Sequence, residues 1–570
     1  MKMKTALALV CFVASFLLAV QVHAQGVEGN WQGSVKDSGT ERRIVLRISS
    51  SGGALRGVVD LPDDFDFDNA LNSISFENSV LKFALGPFSY EGKLSSDGAT
   101  IDGAFTRDNE RTPTILKRKP AGALGLEDVV RALHSLPNLP ADEWRFHAGD
   151  VPHGETVGLD DSSWMLVRPN STAPNDAVWY RRVIEVPRNL NGYDLTGARI
   201  WFQFQADANG PMPQIIYFNG RRVAMGDDLE PIVLFDDAKP GDKALVAVKL
   251  LHTVDQKNFA GANLKIDFSA ARPNPSDLLQ EIESVAILTR GQWAKSPAVK
   301  QQFDAAAESV DLNALKQANQ QAFDSSLRKA QSALEQMKAQ LQGTEVHLTG
   351  NSHIDAAWLW PSTETVDVVR RTFGTALQLM DEYPQYTYTQ SAAAYSAWIA
   401  DKYPDEHKQI QDRVKQGRWE MVGGMWVEPD LNMPDGESLV RQLLVGKRYF
   451  KDKFGVDVRI GWNPDSFGYT WQLPQIYKKS GLDYFVTQKM AWNDTTQLPM
   501  KLFWWESPDG SRVLTYFPHD YVNEIEPVKI SGDVARSREL NPGVTEMMHL
   551  YGIGDHGGGP TRSMLDSGLH

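Results

Sequence analysis

In Gly350-Asn351-Ser352-His353-Ile354-Asp355 an imidazole and a carboxylate stand two residues apart, so on an extended segment both can turn to one side. Together they suit a borderline cation such as zinc; alone they also read as a hydrogen-bonded structural pair. A further acid, Asp465, lies in Gly461-Trp462-Asn463-Pro464-Asp465-Ser466-Phe467-Gly468-Tyr469. In that turn it could be a third ligand, a nucleophile, or a helix-capping or Asx-turn residue. Asp555 and His556 stand in Gly552-Ile553-Gly554-Asp555-His556-Gly557-Gly558-Gly559-Pro560, whose glycines permit close backbone approach. No G-K-[ST] follows, which disfavours a phosphate cradle. Trp358 and Trp360 add flat apolar faces beside the first motif. Such faces suit the C–H side of a sugar ring, or a core.

Each motif follows a strand-like run, and those runs must position it. Glu345 to Leu348, Tyr386 to Gln390, Trp419 to Val422, Val458 to Trp462, Tyr484 to Thr487, Val513 to Phe517 and His549 to Ile553 are short and apolar. Between the first two, Val366, Val369, Phe373, Leu377 and Met380 form a helical stripe. The alternation predicts a parallel sheet or a (β/α) barrel over 344–570, with chemistry at the strand C-termini.

Upstream the pattern changes. Over 25–119, period-two runs such as Arg43-Ile44-Val45-Leu46-Arg47-Ile48 alternate with turns such as Ser50-Ser51-Gly52-Gly53. This predicts a small antiparallel, lipocalin-like meander. Over 120–275, Trp179 to Pro187 and the Asn219-Gly220 hairpin signal predict a jelly-roll, galactose-binding-like β-sandwich. Both read as accessory or packing domains. Over 276–343 the period becomes helical, with Leu312, Leu315, Phe323, Leu327, Ala330, Leu334, Met337 and Leu341 in one stripe, a linker. The 570 residues thus read as multidomain.

Lys2 and Lys4, an apolar run to Val20 and small residues around Ala24 read as a cleaved signal peptide over 1–24. The expected protein is exported, periplasmic or extracellular, with no membrane association after cleavage. The only cysteine, Cys11, lies inside that leader, so disulfides and Cys-based zinc sites are excluded from the mature chain. Net charge of −14 argues against nucleic acid as a partner.

Taken together, G-N-S-H-I-D-A-A-W-L-W-P, W-N-P-D-S-F-G-Y and G-D-H-G-G-G-P-T resemble the catalytic domain of glycoside hydrolase family 38, the α-mannosidases. Met425-Trp426-Val427-Glu428-Pro429-Asp430, Leu473-Pro474-Gln475 and Phe503-Trp504-Trp505-Glu506 support it, and the bacterial and cytosolic-type branch is the nearest in pattern. The resemblance implies an α-mannoside oligosaccharide or glycan substrate and one zinc held by His353, Asp355 and Asp465. It also implies stacking of the mannose ring on Trp358, with Trp426, Asp430 and His556 in the substrate site. Asp465 would double as nucleophile of a retaining reaction and Asp555 would be the acid/base, a role left open between Asp555 and His556. The family's fourth zinc ligand lies in a Q-F-H-D-I-L-P-G-like segment that would fall beyond His570. The chain is therefore expected to be truncated, with weakened zinc affinity and little activity alone. A metal-dependent polysaccharide deacetylase and an inert sugar-binding fragment are the rival expectations; the first would favour an H-x-x-x-H helix, a spacing that does not occur here.

Overall fold

The computed structural model describes residues 26–569 apart from 38–39, 109, 142, 228, 269–270, 342 and 555. The leader expected over 1–24 and the acid/base candidate Asp555 lie outside the described residues. The chain divides into two compact units, with the boundary along the sequence between Gln340 and Leu341. Among the described residues no helix is long and apolar enough to cross a membrane.

In the first unit, nine antiparallel strands from Gly29–Asp37 to Glu110–Arg118 form one sheet. Its first strand pairs with its last, Trp31 opposite Arg118, so the meander curls on itself. Alternation drives the curl: in Phe88–Leu94 every second side chain turns inward. Trp31, Leu46, Val59, Leu81, Tyr90 and Leu116 fill the interior. A six-stranded and a four-stranded sheet follow. The Asn219-Gly220 turn joins Gln214–Phe218 to Arg221–Gly226 with both central residues at positive φ, as a tight hairpin requires.

The helical stretch begins at Pro275–Trp293, where the Asn274 side chain caps the helix. The stripe from Leu312 onward is divided, although the sequence suggests one helix. Leu312–Lys316 and Gln320–Glu335 are separated by Ala318 at φ 52° and by Asn319, whose side chain accepts the Ala322 N–H. That cap supplies a new helix start inside an unbroken apolar pattern.

In the second unit the seven expected strands all form. Trp419–Met421, Tyr388–Gln390, Glu345–Asn351 and Glu546–Tyr551 lie side by side in parallel. Ile460–Trp462, Tyr484–Val486 and Arg512–Tyr516 form a second parallel set, edged by antiparallel Leu502–Glu506. The ladders describe two four-stranded sheets, where the sequence suggests one barrel. Two seams carry isolated bonds instead: the Gly423 N–H donates to the Ile460 carbonyl at 2.8 Å, and the Tyr516 hydroxyl meets the Met548 backbone at 3.0 and 3.2 Å. Val422, Trp462, Val486 and Leu550, drawn from both sheets, pack together between them. The Ser362–Glu382 helix buries Val369, Phe373, Ala376 and Met380 against a larger core holding Tyr388 and Trp419.

Candidate metal centre and active site

His353 and Asp355 follow the C-terminal end of Glu345–Asn351, and Asp465 follows that of Ile460–Trp462. The two strands lie in different sheets, and their trailing loops nevertheless bring these groups to one place. His353 Nε2 lies 3.2 Å from Asp355 Oδ1 and 3.4 Å from Asp465 Oδ2. A tetrahedral zinc with bonds of about 2.0–2.2 Å sets its ligand atoms about 3.3–3.6 Å apart. The two nitrogen-to-oxygen spacings therefore approximate edges of such a tetrahedron, and one ligand atom from each residue falls within 4.8 Å of the others. The donor set, one imidazole and two carboxylates, fits a borderline divalent ion.

The loop carrying His353 is held from several sides. The Tyr395 hydroxyl donates to the Ile354 carbonyl, and Ser352 Oγ lies 2.9 Å from the Tyr388 hydroxyl. The Gly557 N–H donates to the His353 carbonyl at 2.7 Å. Gly557 has φ +84°, and a Cβ there would meet Val368 at 2.4 Å, so only glycine allows this approach. The glycine-rich segment thus supports the His353 loop. His556 lies in the same segment: its Nδ1 accepts the Asp355 N–H at 3.2 Å, and its ring lies 3.8 Å from that of Trp360.

Asp465 has a different partner on each oxygen. Oδ2 faces His353, while Oδ1 accepts the Tyr521 hydroxyl at 2.9 Å and pairs with the Lys489 ammonium. Lys489 is buried, and its ammonium sits over the Trp492 and Phe467 rings at 3.6 and 4.5 Å. Burial works against the Asp465 charge, but hydrogen bonds from His353, Lys489 and Tyr521 outweigh it and hold the carboxyl at about 2. Burial likewise opposes a charged His353. The Glu428 carboxylate, with Asp355 and Asp465, nevertheless raises its pKa well above the ordinary value. The metal-free site therefore balances its acids with an imidazolium and an ammonium. A metal ion would displace the imidazolium proton.

The other expected residues are distributed around this centre. Trp358 is 70% exposed, with its ring 5.7 Å from Trp360 at 90°. Trp426 packs against the core and against Tyr449, 5.9 Å away. Asp430 Oδ1 accepts the N–H groups of Asn432 and Met433 at 2.7 and 2.8 Å, an Asx turn. Three groups at the centre were not assigned from sequence: Lys489, Tyr521 and Glu428. Lys489 is a lone cation followed by Trp492, a signal that does not separate it from a solvated lysine. Glu428 stands inside a motif that matches the family, yet no spacing rule marks it.

Residues 343–568 match the family described as glycosyl hydrolases family 38 N-terminal domain. Human alpha-mannosidase 2C1 is 43% identical over 223 residues, 39% of this chain and 21% of that protein. An alpha-mannosidase of Saccharomyces cerevisiae is 40% identical over 247 residues, 43% of this chain and 22% of that protein. The chain spans about a fifth of the length of these curated relatives. Among solved structures, an alpha-mannosidase from Enterococcus faecalis V583 aligns at 18% identity and TM-score 0.33, over 39% of this chain and 26% of that one. Segment 343–568, whose motif residues gather at one centre, is thus similar along its length to the glycosyl hydrolases family 38 N-terminal domain.

Proposed function

We propose that this protein hydrolyses terminal α-mannosyl linkages with retention of configuration, and that His353, Asp355 and Asp465 hold a zinc ion. The observation that carries the reading is the double engagement of Asp465. One oxygen faces His353 at ligand-to-ligand distance, and the other is fixed by Lys489 and Tyr521. A carboxyl held at about 2 is ionised at any physiological pH, as a nucleophile must be. When bound, zinc supplies a Lewis-acid contact for the sugar's vicinal hydroxyls. Trp358 offers the exposed apolar face against which a pyranose ring can lie. Asp465 attacks the anomeric carbon and forms a glycosyl ester as the leaving oxygen takes a proton. Asp555, the residue that the family resemblance implies for this role, donates that proton and then takes one from the water that opens the ester.

The test is hydrolysis of an aryl α-mannoside by the zinc-loaded chain, with the first-formed anomer read by NMR and acetylated chito-oligosaccharide as comparison substrate. α-Mannose appearing first supports the reading. β-Mannose first overturns the two-step scheme, and acetate release without mannoside cleavage points to the deacetylase reading. The leader-like segment over 1–24 carries a separate proposal, export to the periplasm or medium. A mature N-terminus near Gln25, found by sequencing the protein from that compartment, checks it.

A further inference from the structure

We propose that Glu428 presents His353 to the metal: its carboxylate accepts the imidazole Nδ1–H and so leaves Nε2 as the ligand atom. This rests on the metal-centre reading above and assigns the role of a residue behind it. The two ring nitrogens face different acids. Nε2 looks toward Asp355 and Asp465, while Nδ1 lies 3.3 Å from Glu428 Oε2. The His353 and Glu428 side chains are only 3% and 8% exposed, so water is poorly placed to orient either. Among the described residues, the ion pair at Glu428 is with His353 alone, and no lysine or arginine reaches its carboxylate. His353 Nδ1 and Glu428 Oε2 are both buried with no other hydrogen-bond partner among the described residues, which leaves each as the group available to the other.

Glu428 is itself fixed. Its Oε1 accepts the Ser391 hydroxyl. Ser391 is held in turn by a tight backbone passage: Ala392 has φ 72°, an uncommon value for a residue with a Cβ, and a Cβ on Gly423 would lie 3.2 Å from that of Ser391. On the Glu428 side, Gln442 pins the chain by accepting the Val427 N–H with its side chain at 3.0 Å and the Trp426 N–H with its carbonyl at 3.1 Å. Glu428 is thus built to hold one position. That position is behind the imidazole, because the ligand-atom cluster within 4.8 Å comprises His353, Asp355 and Asp465 without it. A carboxylate on the far nitrogen fixes tautomer and ring orientation and raises the basicity of the ligating nitrogen.

The experiment titrates the metal-free full chain with Zn²⁺ alone against a chromophoric chelator, in the native protein, Glu428→Ala and Glu428→Gln. In parallel, ¹⁵N-histidine NMR of the zinc-loaded protein follows the His353 ring, identified by the signal missing from His353→Gln. The native protein should show zinc on Nε2 and a slowly exchanging proton on Nδ1. Glu428→Ala should weaken zinc binding roughly 10–100-fold and lose that protected proton. Glu428→Gln keeps the shape and a neutral acceptor, so it should fall between and guards against a folding defect in the alanine variant. If the native chain binds no zinc, the metal reading fails and this inference with it. If native and both variants bind zinc equally with an unchanged Nδ1–H signal, the metal centre stands and the role of Glu428 is overturned.

Discussion

The pairing of Asp465 with Lys489 makes a quantitative prediction for the metal-free protein. The two side chains are 19% and 4% exposed, so little solvent screens them. At an effective dielectric of about 20, unit charges about 3 Å apart attract by about 5 kcal/mol, an upper bound on what the contact contributes. Removing one partner of a buried pair costs about 3–5 kcal/mol, because the other charge stays behind. The two partners are unequal. Asp465→Asn leaves Lys489 over aromatic faces with only a neutral amide oxygen, and should destabilise the second unit by about 3 kcal/mol. Lys489→Met leaves Asp465 with Tyr521 and His353, and should cost only about 1–2 kcal/mol. The double variant removes both charges, so its cost should fall short of the sum by at least about 1.5 kcal/mol. Urea unfolding of all four proteins after chelator treatment, followed by tryptophan fluorescence, completes the cycle. Costs that add to within about 0.5 kcal/mol would refute the coupling, since independent sites behave that way.

Trp358→Ala should leave the urea midpoint within experimental scatter, because the ring is mostly exposed. It should raise the KM for an aryl α-mannoside about 3–10-fold, and an unchanged KM would remove Trp358 from the sugar site. Gly557→Ala should destabilise by more than about 2 kcal/mol and weaken zinc binding together, since its added methyl meets Val368 and disturbs the bond to the His353 carbonyl. Full stability with native zinc affinity would contradict that coupling. The Asp465 carboxyl is depressed from 3.8 to about 2 in the folded state. Its contribution, roughly 2 kcal/mol, should be present above about pH 4 and vanish as pH falls through about 2. The metal-free stability difference between native protein and Asp465→Asn should therefore shrink over that window, and a constant difference would exclude the linkage.

The sequence makes some of this arrangement legible and hides the rest. His353 and Asp355 could be joined on paper because side chains two apart on an extended segment face one side, and the structure brings them together with Asp465. The seven short strands were readable from apolar runs, whose ends carry the chemistry. Lys489 was not: its approach to Asp465 depends on parallel pairing of Ile460–Trp462 with Tyr484–Val486, a long-range register that no local pattern encodes. Tyr521 arrives from yet another connection. Leu502–Glu506 carries the motif Phe503-Trp504-Trp505-Glu506, but its pairing as an antiparallel edge depends on Arg512–Tyr516 beside it. Aromatic residues are ambiguous for a similar reason. Trp358 and Trp426 look alike in sequence, yet one ring is open to solvent and the other packs against Tyr449. In the helical stretch, the apolar stripe continues across Ala318, whose backbone conformation breaks the helix that the stripe predicts.

The most direct measurement of the central claim is anomalous diffraction at the zinc edge from crystals of the full chain soaked in Zn²⁺. One strong peak is expected within bonding distance, about 2.0–2.2 Å, of His353 Nε2 and of a carboxylate oxygen from each of Asp355 and Asp465. This peak should be lost in Asp465→Asn. A principal peak elsewhere, or the same peak persisting in that variant at full height, would contradict the assignment of these three residues as the metal centre.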